Sequence, residues 1–447
     1  MTFEVLGNCG HSAAPLSHAS QLKRLVLGPC GHLHADWTSF GQYLDRLDAE
    51  PLGIHVGALV GHGALRACVM DGATRPAQEN ETRLMGSLLD RSLEEGALGF
   101  STGLEYAPGS AAESPEIEAL CAATAAHGAL YATHVRNRDR DYAAGIGEAI
   151  AAAQASGART QISHIQPKYG APPQAAAHMM QMVQAARDSG ADVAFDLIPH
   201  TWGPTMVASV LPAWAFEGGL DVLIARLRDP TLRPRLKHNP RPLWQLVAEK
   251  RWDDIVLFEC TSSRAAIGQT IAQIGKRRGV DPHDAVLDLL ADEGEALYGA
   301  TWVAHNFRDE DIRALLAPSH AGVISDSVTL APTGPLANAR WSPSTYGWTA
   351  RFLADFARDL SLEDAVFRLT GLPAQRLGIN DRGVLREGSA ADLVVFDPQR
   401  IADRSTLESP NVSPDGIAHV FVAGCCALRD GRVTGTRAGG VVRSRSR

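Results

Sequence analysis

The sequence of 447 residues predicts an α/β fold, a TIM-type (β/α)8 barrel followed by a small C-terminal β-sandwich portion. Two patterns carry this prediction. Over most of the chain, short apolar runs rich in β-branched residues alternate with segments of helical length. After residue 375 the pattern changes to short β-runs separated by glycine turns. Spacing alone does not separate a barrel from an open parallel sheet.

Nine short runs are predicted as strands. They are residues 2–6, 54–60, 98–102, 129–134, 160–164, 193–198, 255–259, 302–305 and 322–326. Helices are predicted over 142–156 and 174–188, because each segment ends before a glycine, Gly157 or Gly190. Nine strands exceed what a barrel uses, so we expect a barrel over 1–375 with a rim insertion at about 199–300, where prolines interrupt the pattern.

The end of the chain has a different organisation. Residues 376–438 are expected to form a small β-subdomain, since glycines separate β-runs with no helix among them. Such a sheet leaves an open edge unless another segment pairs with it. Residues 439–447 carry several arginines and are expected to form a disordered basic tail.

Composition excludes several classes of protein. With 45% hydrophobic and 21% charged residues, the chain can bury a large core. A formal net charge of -8 provides no basic field, so we expect no nucleic-acid partner. The sequence has neither an apolar run of bilayer-spanning length nor a signal-peptide pattern, so we expect no membrane contact and a cytoplasmic location. Seven cysteines without the spacing of a disulfide scaffold indicate reduced thiols.

A metal site is predicted from two histidines. His134 and His164 each close a strand-like run, with a helix between them, which is the spacing of one βαβ unit. Successive strands of a parallel barrel end at the same rim, so both imidazoles are expected in one site. Catalytic zinc takes three nitrogen or sulfur ligands and leaves one position for water, and Cys9 after the first strand is the natural third ligand. Asp326 closes a later strand and is the candidate base.

Each of these residues also has a structural interpretation. A histidine at a strand end commonly makes only hydrogen bonds, a free cysteine is commonly buried as a small hydrophobe, and an aspartate commonly caps a turn. The metal interpretation depends on the pairing of His134 with His164 across one βαβ unit.

Several motifs along the chain match one family in order. They are Asn8-Cys9-Gly10, Gly61-His62-Gly63, Gly99-Phe-Ser-Thr-Gly-Leu104, Thr133-His134-Val-Arg136, Ser163-His164, Ser325-Asp326 and the segment 382–397. In these motifs the chain resembles the D-aminoacylase (N-acyl-D-amino-acid deacylase) branch of the amidohydrolase superfamily. The resemblance implies one tightly bound zinc ion held by Cys9, His134 and His164, with Asp326 as the catalytic aspartate. It also implies a small-molecule substrate, an N-acyl-D-amino acid or a related N-acyl compound, that is hydrolysed at its amide bond.

The chain departs from the family at its beginning. Family members have further β-strands, and a first barrel strand that ends in a His-x-His pair, upstream of the cysteine motif, whereas here Met1 stands just before that motif. We therefore expect a barrel that is incomplete at its first strand, from either a misassigned start or real loss. A second metal site would depend on that pair.

The segments that hold the substrate carboxylate in the family also differ. A lysine two residues after the second histidine is replaced by Gln166, a tyrosine-proline-tyrosine segment reads Ile198-Pro199-His200, and a histidine-proline-arginine segment reads Ser342-Pro343-Ser344. Glutamine and serine do not replace a cation that makes charge-assisted bonds. The candidates for substrate binding are Arg136, Gln166, Lys168, His200 and Arg340. Two alternatives stay open, a cyclic amidase of the hydantoinase or dihydropyrimidinase type and an inactive truncated remnant.

Overall fold

A parallel sheet lies at the centre of the structure, a computed structural model that describes residues 1–20, 23–28, 34–328, 330–331, 333–334, 336–337 and 339–444. The strands in these ranges are β1 (Phe3–Leu6), β2 (His55–Gly61), β3 (Gly99–Gly103), β4 (Leu130–His134), β5 (Arg159–Ile162), β6 (Val193–Leu197), β7 (Trp202–Met206), β8 (Ile255–Glu259), β9 (Thr301–His305), β10 (Ala321–Val323), β11 (Leu393–Phe396), β12 (Ile417–Val422), β13 (Cys425–Arg429) and β14 (Arg432–Val433).

These strands form three sheets. Seven parallel strands pair in the order β1-β2-β3-β4-β5-β6-β10. Antiparallel strands form a small sheet in the order β7-β9-β8 and a four-stranded sheet in the order β11-β12-β13-β14. All nine predicted runs are strands, but 255–259 and 302–305 lie in the small sheet. The remaining seven runs supply the parallel sheet.

Helices connect the parallel strands. The α-helices are α1 (Lys23–Leu27), α2 (Phe40–Asp48), α3 (His62–Met70), α4 (Glu79–Glu94), α5 (Ser114–Ala126), α6 (Tyr142–Ser156), α7 (Ala175–Asp188), α8 (Gly219–Arg228), α9 (Arg233–Leu236), α10 (Gln245–Ala248), α11 (Ile271–Arg278), α12 (Pro282–Glu293), α13 (Asp309–Leu315), α14 (Ser344–Arg351), α15 (Leu362–Leu369) and α16 (Gly371–Leu377). The predicted helices correspond to α6 and α7. Gly157 ends α6 in the left-handed conformation (φ 70°), which a residue with a side chain would adopt only with strain. Within the described residues, no helix combines the length and the apolar character needed to cross a bilayer.

The parallel sheet has two edges, β1 and β10. Among the described residues these two strands do not pair with each other, and the sheet does not close. A cavity of about 430 Å³ lies beside β1, and its lining includes Leu6 of β1, Trp37, Ala58 of β2 and Val328, which follows β10. The predicted fold class, an incomplete barrel with a C-terminal β portion, is confirmed.

The segment between β6 and α13 forms a layer of its own. Its antiparallel sheet extends from Trp202 to His305, which is past the predicted boundary at residue 300. An apolar core that includes the stacked rings of Trp244 and Trp302 supports it. The segment contacts the rim of the parallel sheet, because Tyr169 N donates to Asn306 Oδ1 at 3.0 Å and Lys168 Nζ donates to the Leu243 carbonyl at 2.6 Å.

The last described residues are ordered, where a disordered tail was predicted. The Val56 N–H donates to the Gly440 carbonyl and the Val442 N–H donates to the Val56 carbonyl. These groups are free to pair because β3 joins β2 only from Leu59 onward. The prediction of a disordered tail is therefore wrong for residues 439–444, and residues 445–447 lie outside the described residues.

Candidate metal site

The three predicted ligands lie together at the carboxyl ends of the parallel strands. The Cys9 Sγ atom is 3.3 Å from His164 Nε2, and His134 Nδ1 is 3.1 Å from the same nitrogen. All three candidate ligand atoms lie within 4.8 Å of one another. Tetrahedral zinc, with bonds of about 2.0–2.3 Å, holds its ligand atoms roughly 3.3–3.6 Å apart. The observed spacing is close to what such an ion requires.

A backbone contact places the cysteine. Gly103 ends β3, and a Cβ atom added there would overlap the carbonyl oxygen of Cys9. The Ser101 hydroxyl accepts a hydrogen bond from Gly10 N at 3.1 Å and donates to the Gly7 carbonyl. Ser101 and Gly103 belong to the motif over residues 99–104, the serine-threonine-glycine motif, so in this chain that motif holds the loop that carries the thiol.

Backbone conformations at the site are unusual. Cys9, His164 and Asp326 all have positive φ angles, of 53°, 38° and 47°. Residues with a Cβ atom adopt such angles at a cost, and they persist only when the surrounding structure holds them. For His164 that support includes Asp196, which accepts a hydrogen bond from the His164 N–H at 2.6 Å, and Arg138, whose Nη1 donates to the His164 carbonyl.

Glu105 orients one of the ligands. Its Oε2 atom lies 2.7 Å from His134 Nε2, and its Oε1 atom accepts a hydrogen bond from Lys168 Nζ at 2.6 Å. Because a carboxylate only accepts, Nε2 of His134 carries the proton and Nδ1 turns its lone pair toward the cluster. Burial raises the pKa of Glu105, and the Lys168 ammonium opposes that rise.

The charge states of the cluster suit a metal ion. Burial lowers the pKa of His134 and of His164 well below the usual value, so both imidazoles are neutral and can coordinate. Burial and the nearby Asp326 raise the pKa of the Cys9 thiol. A thiolate at this position needs a strong local positive charge, which a bound zinc ion provides. The sulfur and two nitrogen donors therefore fit zinc.

Asp326 is the acidic residue beside the cluster. It follows β10, it is buried, and burial raises its pKa to about 6, while Arg138 opposes the rise. Its charge in turn raises the pKa of the Cys9 thiol, which reflects its proximity to the cluster. An aspartate of this kind is ionised at neutral pH and is a stronger base than a free aspartate.

The five predicted substrate-binding residues are used within the protein. Arg136 pairs with Glu148, and Lys168 pairs with Glu105. The side-chain amide of Gln166 donates to the Ile198 carbonyl and accepts from its N–H, at 2.7 and 3.0 Å.

The other two have different partners. His200 Nδ1 accepts from Trp202 N at 3.3 Å, and burial lowers the pKa of His200 to about 3. Arg340 donates to the Leu407 carbonyl, and its backbone N–H donates to Glu259. The Lys168 side chain donates to Glu105, which contacts His134, and the Gln166 carbonyl accepts from Arg138, which contacts His164. Substrate binding by the five residues stays a prediction.

Three residues of the site were not predicted. Glu105 stands next to the serine-threonine-glycine motif, and Asp196 is a charged residue inside the apolar run of β6, which is a signal that sequence reading could have used. Arg138 carries no comparable signal, because its position near His164 arises from a turn after β4.

Comparisons with known proteins agree with this arrangement. Residues 31–427 match the profile of the Amidohydrolase family. An N-acyl-D-glutamate deacylase of Alcaligenes xylosoxydans xylosoxydans is 32% identical over 436 residues, which cover 96% of this chain and 77% of the relative.

Two solved structures have similar folds. A D-aminoacylase crystal structure superposes with a TM-score of 0.79 at 28% identity, over 100% of this chain and 83% of that one. The N-acyl-D-glutamate deacylase of Bordetella bronchiseptica, in complex with zinc and a phosphonate that mimics the tetrahedral intermediate, gives a TM-score of 0.78 at 28% identity, over 99% and 83%.

The role of Glu105 can be tested through zinc affinity. Replacing Glu105 with Gln removes the charge that orients His134, so we expect the zinc dissociation constant to rise roughly 10- to 100-fold, as measured by competition with a chromophoric chelator. Glu94→Gln at the exposed end of α4 is the matched control. Unchanged zinc affinity in Glu105→Gln would contradict the assignment.

The contact at Gly103 predicts a second effect. Gly103→Ala should lower the free energy of unfolding by about 1–3 kcal/mol and weaken zinc binding, because the added methyl group displaces the Cys9 carbonyl. Gly86→Ala in α4 meets no atom within 4 Å and should instead raise stability by roughly 0.5–1 kcal/mol. Thermal unfolding and zinc titration of both variants measure this. A Gly103→Ala protein that binds zinc normally would show that the contact is not needed.

Proposed function

Because this chain belongs to the amidohydrolase family, in its D-aminoacylase branch, we propose that it is a zinc-dependent deacylase of N-acyl-D-amino acids or related N-acyl compounds. The observation that carries the proposal is the cluster of Cys9, His134 and His164 with Asp326 beside it. Within the described part of the chain, these three ligands are the one group of histidine, cysteine and acidic side chains close enough to hold a metal ion. One zinc ion per chain is therefore the proposed stoichiometry.

The substrate class is supported by the relatives. Those named above act on N-acyl-D-glutamate or on N-acyl-D-amino acids, and one was solved with zinc and a mimic of the tetrahedral intermediate. Amide hydrolysis through a tetrahedral intermediate needs a polarised carbonyl, an activated water and a proton donor for the amine. Asp326 is assigned the activation of the water and the protonation of the amine. Cys9, His134 and His164 would hold the metal ion that polarises the carbonyl.

Zinc, when bound, supplies Lewis-acid polarisation of the scissile carbonyl and lowers the pKa of a water molecule. The Asp326 carboxylate accepts a proton from the water molecule while the oxygen of that water adds to the carbonyl carbon. Asp326 then gives this proton to the nitrogen as the C–N bond breaks, because an amine leaves poorly unless it is protonated. The products are a carboxylic acid and a free amine. Glu105 and Lys168 hold His134 in position throughout.

The insertion contributes by covering the rim. The Tyr106 ring packs against the ring of His134, with the ring centres 4.8 Å apart and the planes tilted by 59°, and its hydroxyl lies 3.4 Å from the Thr205 hydroxyl of β7. A covered site excludes bulk water, which strengthens the electrostatic interactions inside it.

Replacing Asp326 tests its role as the base. Asp326→Asn should retain zinc at the wild-type level and lose turnover by about 10²- to 10⁴-fold, since the amide cannot accept the proton. Elemental analysis and the rate of amine release measure the two quantities on the same sample. Asp359→Asn, at an exposed position before α15, is the control. Wild-type turnover in Asp326→Asn would exclude Asp326 as the base.

The proposed function is tested with a substrate panel. Zinc-loaded protein should release amine from N-acetyl-D-amino acids faster than from their L isomers, and removal of zinc with a chelator should abolish the activity until zinc is restored. Hydantoins and dihydropyrimidines are included in the panel. Folded, zinc-loaded protein that opens these rings and leaves every N-acyl-D-amino acid intact would replace the proposal with a cyclic amidase.

A further inference from the structure

Arg138 is a buried cation without a carboxylate partner. Only 4% of the residue is exposed, and within the described residues it forms no ion pair. Its Nη1 atom donates to the His164 carbonyl and, at 3.3 Å, to the Gln166 carbonyl. Its Nε–H is buried and meets no acceptor among those residues. No hydrogen bond of the described residues uses Nη2 of Arg138, so this end of the guanidinium group, rather than the enclosed Nε–H, is the part left to bind another group.

Two of the other buried cations are neutralised by ion pairs. Arg66 pairs with Glu116 at 2.6 Å, and Lys168 pairs with Glu105 at 2.6 Å. Arg368, which is also 4% exposed, instead donates to the Pro318 carbonyl and to the Ala321 carbonyl at the start of β10. Removing an unpaired cation from water is costly, and buried charges are normally compensated by a partner of opposite charge. No carboxylate of the described chain forms a direct ion pair with Arg138, although the charge of Arg138 lowers the pKa of the buried Asp326, Glu105 and Asp196.

Arg138 also lies beside the proposed site. It contacts the backbone of the ligand His164, and its guanidinium group lies 5.8 Å from the centre of the Phe307 ring. Its positive charge lowers the pKa of Asp326 and of both ligand histidines, which shows that the group is close to all three.

We propose that Arg138 binds a carboxylate of the N-acyl amino acid substrate, through charge-assisted hydrogen bonds from the N–H groups that the protein leaves free. The planar guanidinium fork matches a carboxylate better than an ammonium group does. This inference rests on the proposed function, and it assigns the substrate's anionic group to a residue that the motifs did not indicate. Arg136 and Lys168 are less suited because each already pairs with a glutamate, and Gln166 is fully bonded to Ile198.

Matched pairs of substrates test the assignment. Zinc-loaded wild type, Arg138→Gln and Arg138→Lys are assayed on N-acetyl-D-leucine against its neutral amide, and on N-acetyl-D-glutamate against N-acetyl-D-glutamine. The first pair reports the α-carboxylate and the second reports a side-chain carboxylate. Arg140→Gln is the control, because Arg140 lies on the same turn but is exposed and pairs with Glu249.

We expect Arg138→Gln to lower kcat/KM roughly 10- to 100-fold, mainly through KM, on the member of a pair that carries the recognised carboxylate. The neutral member should change less than about threefold, and the pair that shows the selective loss identifies which carboxylate is bound. Arg138→Lys should lie in between, since lysine keeps the charge but not the fork. An equal loss on both members of both pairs would overturn the proposal and assign Arg138 a structural role at His164.

Two further measurements keep the result decisive. Zinc content and thermal unfolding are recorded for each variant, and if Arg138→Gln fails to fold, the comparison is made with Arg138→Lys. If wild type hydrolyses none of the four compounds, the proposed function fails by itself. Calorimetric binding of the same acids and neutral amides then decides the role of Arg138. Tighter binding of an acid by wild type but not by the variant supports the proposal, and equal affinities overturn it.

Discussion

The cluster of candidate metal ligands depends on one close backbone contact at the end of β3. Gly103 lies against the Cys9 carbonyl and is also the register partner of His134 in the parallel pairing of β3 with β4. A single residue without a side chain thus fixes the distance between two of the three ligands. Because β4 in turn pairs in register with β5, the strand that precedes His164, the same ladder of hydrogen bonds sets the third. The cluster is a consequence of strand register and of the absence of one Cβ atom.

Burial then determines the chemistry of these groups. Burial lowers the pKa of the two histidines, which keeps their lone pairs free, and raises the pKa of Asp326 to about 6, which suits the role of base proposed for it. The same burial would be unfavourable for Glu105 and Lys168 if they did not pair with each other. In this ion pair, Glu105 keeps a negatively charged oxygen 2.7 Å from Nε2 of His134. The same ion pair therefore stabilises two buried charges and orients a candidate ligand.

The insertion and the turn after β4 both contact the loop that follows β5 and carries His164. The insertion supplies the Leu243 carbonyl to Lys168 and places Asn306 against Tyr169, which holds the loop after His164. The turn after β4 brings Arg138 under the same loop, where it bonds the His164 and Gln166 carbonyls. A substrate that reaches the cluster would meet a metal ion, a base and a guanidinium group within one enclosed space, an arrangement suited to a small anionic N-acyl compound.

The sequence by itself predicted nine of the strands, the helices α6 and α7, and the four candidate residues Cys9, His134, His164 and Asp326 that the structure brings close together. β-branched runs, glycine caps and the spacing of His134 and His164 are local properties, so they can be read without knowing the fold. It did not determine which sheet a strand joins, since 255–259 and 302–305 have the same pattern as the runs of the parallel sheet. Nor did it assign Glu105 and Arg138, or the pairing of residues 439–444 with β2. Those depend on contacts between segments far apart in the chain, and only the tertiary structure decides which buried charges meet and which backbone groups remain to be paired.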